Sequence, residues 1–109
     1  ADGRGFAVSG GVAQAVVNAI HKLDPDREVK VASAQGLADC RKMMMMAKAG
    51  KYNGYLLEGM ACPGGCIAGA GTLADPARSA AMLAKYKAQA PKKSALDTEY
   101  KDSLDYLKY

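Results

Sequence analysis

The segment Glu58-Gly-Met-Ala-Cys-Pro-Gly-Gly-Cys-Ile-Ala-Gly-Ala-Gly-Thr72 constrains this chain more than any other. It follows an apolar run, Tyr55-Leu56-Leu57, that reads as a strand. A turn needs one or two glycines, yet Gly59, Gly64, Gly65, Gly69 and Gly71 crowd this one stretch. Glycine lets the main chain approach a bulky neighbour with no side chain between. Cys62 and Cys66 sit in the same loop, and soft thiolates at short spacing suit an iron–sulfur cluster or zinc. The Cys-x3-Cys spacing is wider than a zinc knuckle, and no second Cys/His pair completes four ligands, since Cys40 and His21 are single and distant. Two readings stay open: the thiols are buried as small apolar groups, or the remaining ligands come from another chain.

The flanking sequence reads as alternating strands and helices. Phe6-Ala7-Val8 is a short apolar run expected as a strand, with Ser9 as N-cap of a helix from Val12 to Leu23. Val12, Val16, Ile20 and Leu23 share one face of that helix, and Asp24-Pro25 ends it. A strand passing through glycines into a helix N-terminus is a common anion site. His21, near the helix C-terminus, is an ordinary polar residue there.

A second strand is expected over Glu28–Ala34, a helix over Leu37–Lys48 with Gly50 closing it, and a third strand over Tyr52–Gly59. Leu37, Cys40, Met44 and Ala47 share a helical face, which makes Cys40 a core residue. Met43-Met44-Met45-Met46 suggests a thioether copper site at first sight. Consecutive helical side chains diverge, however, so the four cannot converge on one metal. Asp75-Pro76 reads as N-cap and N1 of a helix to about Gln89, and Ala90-Pro91-Lys92-Lys93 as a linker. Ser94-x-x-Asp97 reads as a capping box opening a last helix with Leu96, Tyr100, Leu104 and Leu107 on its buried face.

These elements predict an α/β fold: a small parallel β-sheet of about three strands with flanking helices and a helical C-terminal tail. Residues 1–75 form the sheet lobe with the cysteine loop, and residues 76–109 the helical tail. A strand–helix–strand unit demands a parallel pair. The strand ends Val8-Ser9, Ala34-Gln35 and Met60-Cys62 are therefore expected on one edge, where open α/β sheets bind ligands.

The 109 residues suffice for one small domain, and half of them are hydrophobic, which excludes a disordered composition. No run is long enough for a membrane span, and no signal peptide is seen. Three cysteines, an odd number, do not suggest a secreted disulfide framework, so a reducing, cytoplasmic setting is expected. The net charge of +4 is spread along the chain rather than gathered into a stripe with exposed aromatics, which argues against nucleic-acid binding.

Glu58-x-Met60-x-Cys62-x-x-Gly65-Cys66-x-x-Gly69-x-Gly71 resembles the third cysteine motif of the FeFe (iron-only) hydrogenases, which ends their H-cluster domain. By that resemblance Cys62 binds the cubane 4Fe-4S cluster, Cys66 bridges the cubane to the di-iron subsite, and Met60 lines the pocket around that subsite. Phe6-Ala7 with Gly10-Gly11 resembles the family's turn beside the subsite, and Val31 to Leu37 with Arg41-Lys42 resembles its next strand, turn and helix. The chain departs from the motif at Ala70 and at Thr72-Leu73, where the family has Gly and Gln-Pro.

The resemblance implies reversible proton reduction to H2 by a parent enzyme. Its partners are the remaining N-terminal part of the hydrogenase and an electron carrier such as ferredoxin. The family's cluster needs four cysteines from three motifs, and the motifs Thr-Ser-Cys-Cys-Pro and Met-Pro-Cys are absent here. The chain is thus expected to be the C-terminal lobe of a larger catalytic domain, inactive and free of cluster by itself. A non-catalytic iron–sulfur relative is the alternative, either a sensory hydrogenase-like protein or the prelamin-recognition-factor-like branch used in cluster assembly. An α/β domain binding zinc or nothing is the blander third reading.

Overall fold

The computed structural model describes residues 1–107, with side chains as far as Ser103. Strands β1 (Lys30–Gln35) and β2 (Tyr55–Met60) pair in parallel, in a register running from Lys30 opposite Tyr55 to Gln35 opposite Met60. Helix α2 (Leu37–Lys48) makes the crossover between them. Its C-terminus closes as a Schellman turn: Gly50 takes φ +88°, its N–H donates to Ala47 O at 2.9 Å, and the Lys51 N–H donates to Met46 O at 3.0 Å.

The α/β class is as expected, but the sheet has two strands rather than about three. Phe6–Val8 is a turn following a 3-10 turn at Gly3–Gly5. Its backbone bonds close locally: Phe6 N–H donates to Gly3 O, Val8 N–H to Gly5 O, and Gly11 N–H to Val8 O at 3.0 Å. Those groups are therefore not available for a sheet ladder. Strand starts also shift. β1 begins at Lys30 rather than Glu28, and β2 at Tyr55 rather than Tyr52, because the Tyr52 carbonyl accepts the Tyr55 N–H in a turn.

Helix α2 meets the sheet through Met43, which is buried, with Cys40 and Ala47 half-buried beside it. The expected face was one step off: Leu37 and Met44 are 74% and 61% exposed. Gly59 explains the seating. A Cβ there would lie 3.2 Å from Cys40 Sγ and 4.0 Å from Met43 Cε, so these two side chains occupy the space a larger residue in β2 would fill.

Helix α1 (Gly11–Leu23) buries Ala13, whereas Val12, Val16 and Leu23 of its expected apolar face are exposed. Helix α3 (Pro76–Ala88) starts as predicted, with Asp75 Oδ2 accepting the Arg78 N–H at 2.9 Å. It is held to the chain's first turn by Arg4, whose guanidinium lies 4.0 Å from the Tyr86 ring centroid and donates to Tyr86 O at 2.8 Å. The capping box also forms, Ser94 N–H donating to Asp97 Oδ2 at 2.9 Å. It opens 3-10 turns over Ala95–Asp97 and Glu99–Leu107 instead of an α-helix. Tyr100, expected inward, is 73% exposed. The side chains of Leu104 and Leu107 lie outside the described residues.

The core is thin. Among the described residues the buried apolar side chains are Ala13, Ala34, Met43 and Ala90. The radius of gyration, 15.7 Å, exceeds the roughly 13 Å of a compact domain of this length. Much apolar surface therefore stays open, from Val12 and Val16 on α1 to Leu73, Met82 and Tyr86 around α3. No described helix is long and apolar enough to cross a membrane.

Candidate functional site

The cysteine loop leaves β2 at Met60 and is tied at three points. Gly36 N–H donates to Met60 O at 2.8 Å, pinning the loop's root to the end of β1. Gln35 Oε1 accepts the Gly64 N–H at 2.6 Å, reaching the loop's tip from the same strand end. The turn over Ala7–Ser9 makes the third tie, with Ile67 N–H donating to Ala7 O and Ser9 N–H to Gly64 O, both at 3.2 Å. The expected gathering of residues 8–9, 34–35 and 60–62 on one edge therefore occurs, although the first of these segments is a turn.

Glycine makes this contact possible. Gly65 has φ +91°, and a Cβ on it would lie 2.5 Å from Ala7 O and 2.6 Å from Ser9 N. Two main chains lie against each other with no side chain between. Inside the loop, Gly65 N–H donates to Cys62 O at 3.0 Å, and a 3-10 turn spans Cys66–Ala68. A Cβ on Gly69 would come 3.2 Å from Cys62 Sγ. Thr72, where the motif departs from the family pattern, folds back on Gly69: its hydroxyl donates to Gly69 O at 2.7 Å.

The three thiols differ in setting. Cys66 is exposed, Cys62 half-buried beside Gly69, and all three cysteines are unpaired. Cys40 sits under the sheet end, its Sγ 3.6 Å from Met60 O and 3.7 Å from Ala34 O. Among the described residues no three His, Cys, Asp or Glu side chains gather to hold a metal ion. Cys62 and Cys66 thus offer two soft donors on a glycine-lined loop. That chemistry suits an iron–sulfur cluster, and it supplies half of four thiolates.

The other predicted residues divide. Ala7 lies on the loop through its carbonyl. Met60 lines a groove of 220 Å³ between α1 and β2, with Val12, Val16 and Leu56. Phe6 lines a different cleft, toward Lys92 and Ser94 of the tail. Phe6 and Met60 therefore do not share a wall.

Glu58 is the residue that local sequence patterns missed. It is 7% exposed, and its two carboxylate oxygens accept the N–H groups of Gly10 at 2.8 Å and Ala13 at 3.0 Å. Ser9 does not cap α1. The N-cap is Gly10, at φ +89°, and it brings no side chain to the helix end. The anion that the glycine turn and helix N-terminus were expected to attract is the protein's own carboxylate. Only the motif's leading Glu hinted at it, because a cap from 48 residues away leaves no local pattern.

The family model for the C-terminal domain of the iron-only hydrogenase large subunit matches residues 1–70. No curated protein and no solved structure matches the chain.

Proposed function

Since the chain belongs to the family formed by the C-terminal domain of the iron-only hydrogenase large subunit, we propose that it forms the closing part of a catalytic domain that interconverts protons and H2. The observation that carries this is the cysteine loop itself. Two unpaired thiols stand on a glycine-lined edge of a parallel sheet, where ligand sites of α/β folds form. Cys62 and Cys66 would hold the H-cluster as two of its thiolate ligands, Cys66 serving both the cubane and the di-iron subsite. When bound, that cluster supplies the redox-active iron at which protons and electrons combine.

The chain's own residues do the holding. Gly69 keeps a side chain out of the space beside Cys62 Sγ, and Gly65 lets the loop lie directly on the Ala7–Ser9 turn. The ties from Gln35 and Ala7 fix where the thiols stand. Met60 is assigned to the wall around the subsite, and its unbranched thioether side chain adapts to an irregular neighbour. The remaining thiolates are assigned to the N-terminal part of the hydrogenase. The thin core and the open faces of α1 and α3 support such a partner. An electron carrier such as ferredoxin would serve the assembled enzyme.

The test is hydrogen production and uptake by the assembled catalytic domain. Cys66→Ala should abolish both, while Met60→Leu, which keeps volume but removes sulfur, should assemble and retain part of the activity. Wild-type turnover by Cys66→Ala would refute the assignment.

A further inference from the structure

We infer that Glu58 is a positioning residue that sets the cysteine loop through the neighbouring turn rather than by touching a ligand; its bearing on hydrogen chemistry rests on the reading above. Glu58 is buried in the middle of β2, four residues before Cys62, and its side chain is turned to the N-terminus of α1. Both its oxygens are spent on the first turn of α1, at Gly10 and Ala13. Immediately before Gly10 come Ala7 and Ser9, whose carbonyl and N–H bond Ile67 and Gly64 of the loop. The turn thus lies between the carboxylate on one side and the loop on the other.

The packing leaves this turn little freedom. A Cβ on Gly11 would lie 1.9 Å from Gly5 O, and one on Gly65 2.5 Å from Ala7 O. Backbone meets backbone at both places, so a shift of the α1 N-terminus is passed to the loop instead of being absorbed by side chains. β2 therefore holds the loop twice: once through the chain, at Met60, and once through space, from Glu58 by way of the turn. Two attachments from one strand fix the loop's orientation as well as its root.

The experiment uses this chain in solution and needs no cluster. Glu58→Gln keeps size and shape but puts an NH2 where one N–H needs an acceptor. Amide hydrogen exchange at Gly10 and Ala13 should quicken about tenfold, the worth of a lost helix cap. Exchange at Ser9 and Ile67 should quicken with it. Native thiol labelling of Cys62 should rise toward the rate of Cys66, while Cys40, under the sheet, should keep its wild-type rate.

If Gly10 and Ala13 quicken while Ser9 and Ile67 do not, Glu58 is a cap only and the inference fails. It fails too if Cys40 labelling rises in step, which is general destabilisation. Should the variant not fold, exchange in the wild-type chain decides. Gly10, Ala13, Ser9 and Ile67 must then open as one unit with a common denaturant dependence; separate opening of Ile67 contradicts the inference. Loss of the hydrogenase assignment would leave this result standing, and the reverse also holds.

Discussion

The two ends of β2's surroundings are built by different means. Against α2, the sheet is packed by side chains: Met43 and Cys40 fill the space above Gly59. At the cysteine edge almost no apolar side chain is buried. Main chain lies on main chain there, held by loop N–H groups that donate to Gln35 Oε1 and Ala7 O and by the Ser9 N–H donating to the loop, and allowed by Gly65. Side-chain packing tolerates truncation in proportion to the cavity left. Backbone contact has no such gradation, because any added atom must displace a peptide. The edge thus gains positional definition without covering its thiols, which is what a ligand-bearing loop needs.

The strongest way to break this contrast is at Gly65. Gly65→Ala meets both a positive φ and two backbone atoms, so it should cost at least about 3 kcal/mol or prevent folding. Urea denaturation measures this. Gly71→Ala shares a positive φ, +83°, but meets open space, and should cost about 1 kcal/mol. Similar losses at the two sites would mean that backbone contact does not hold the edge.

On the packed side, Met43→Ala should cost about 2–4 kcal/mol, and Met44→Ala should stay within about 0.5 kcal/mol, as surface changes do. Equal losses would put the buried face of α2 back at Leu37 and Met44. Thiol labelling of the native chain sharpens the contrast next. Cys66 should react first, then Cys62, then Cys40, following their exposure and the sheet end over Cys40. Cys40 leading would invert the account.

The smallest effect lies at the tail. A hydrogen bond from Lys22 and one from the Ser94 N–H hold the Asp97 carboxyl below its ordinary range. A lowered folded-state value means the contact is fully present above the ordinary carboxylate range and lost as pH falls through the depressed value. Below about pH 4, the tail's exchange protection near Ser94 should weaken slightly, and Lys22→Met should reduce that pH dependence to the part carried by the Ser94 N–H. A tail insensitive to both would show that the exposed pair contributes nothing.

What the sequence disclosed follows from the range of each signal. Helix α2 has its expected bounds, and the caps at Asp75 and Ser94 form where their spacing put them, because these are local chemistry. The crowding of Gly64, Gly65 and Gly69 marked a close approach, although the neighbour of Gly65 in the structure is the Ala7–Ser9 turn and those of Gly64 and Gly69 are in the loop itself. Phe6–Val8 looked like a strand because three apolar residues carry no information about where their N–H groups bond. The run of four methionines has no periodic contrast, so it hid that Met43 and not Met44 faces the sheet. Glu58's capping of α1 was out of reach for a different reason: the partners are far apart in sequence and neither end shows a local capping pattern.

The central claim is that Cys62 and Cys66 ligate the cluster and Cys40 does not. Iron and acid-labile sulfide content of the assembled catalytic domain tests it most directly, measured for Cys62→Ala, Cys66→Ala and Cys40→Ala beside the wild type. The account predicts that both loop variants lose bound iron, Cys66→Ala losing the di-iron subsite as well as a cubane ligand, and that Cys40→Ala keeps the wild-type content. Undiminished iron in Cys62→Ala and Cys66→Ala would contradict it.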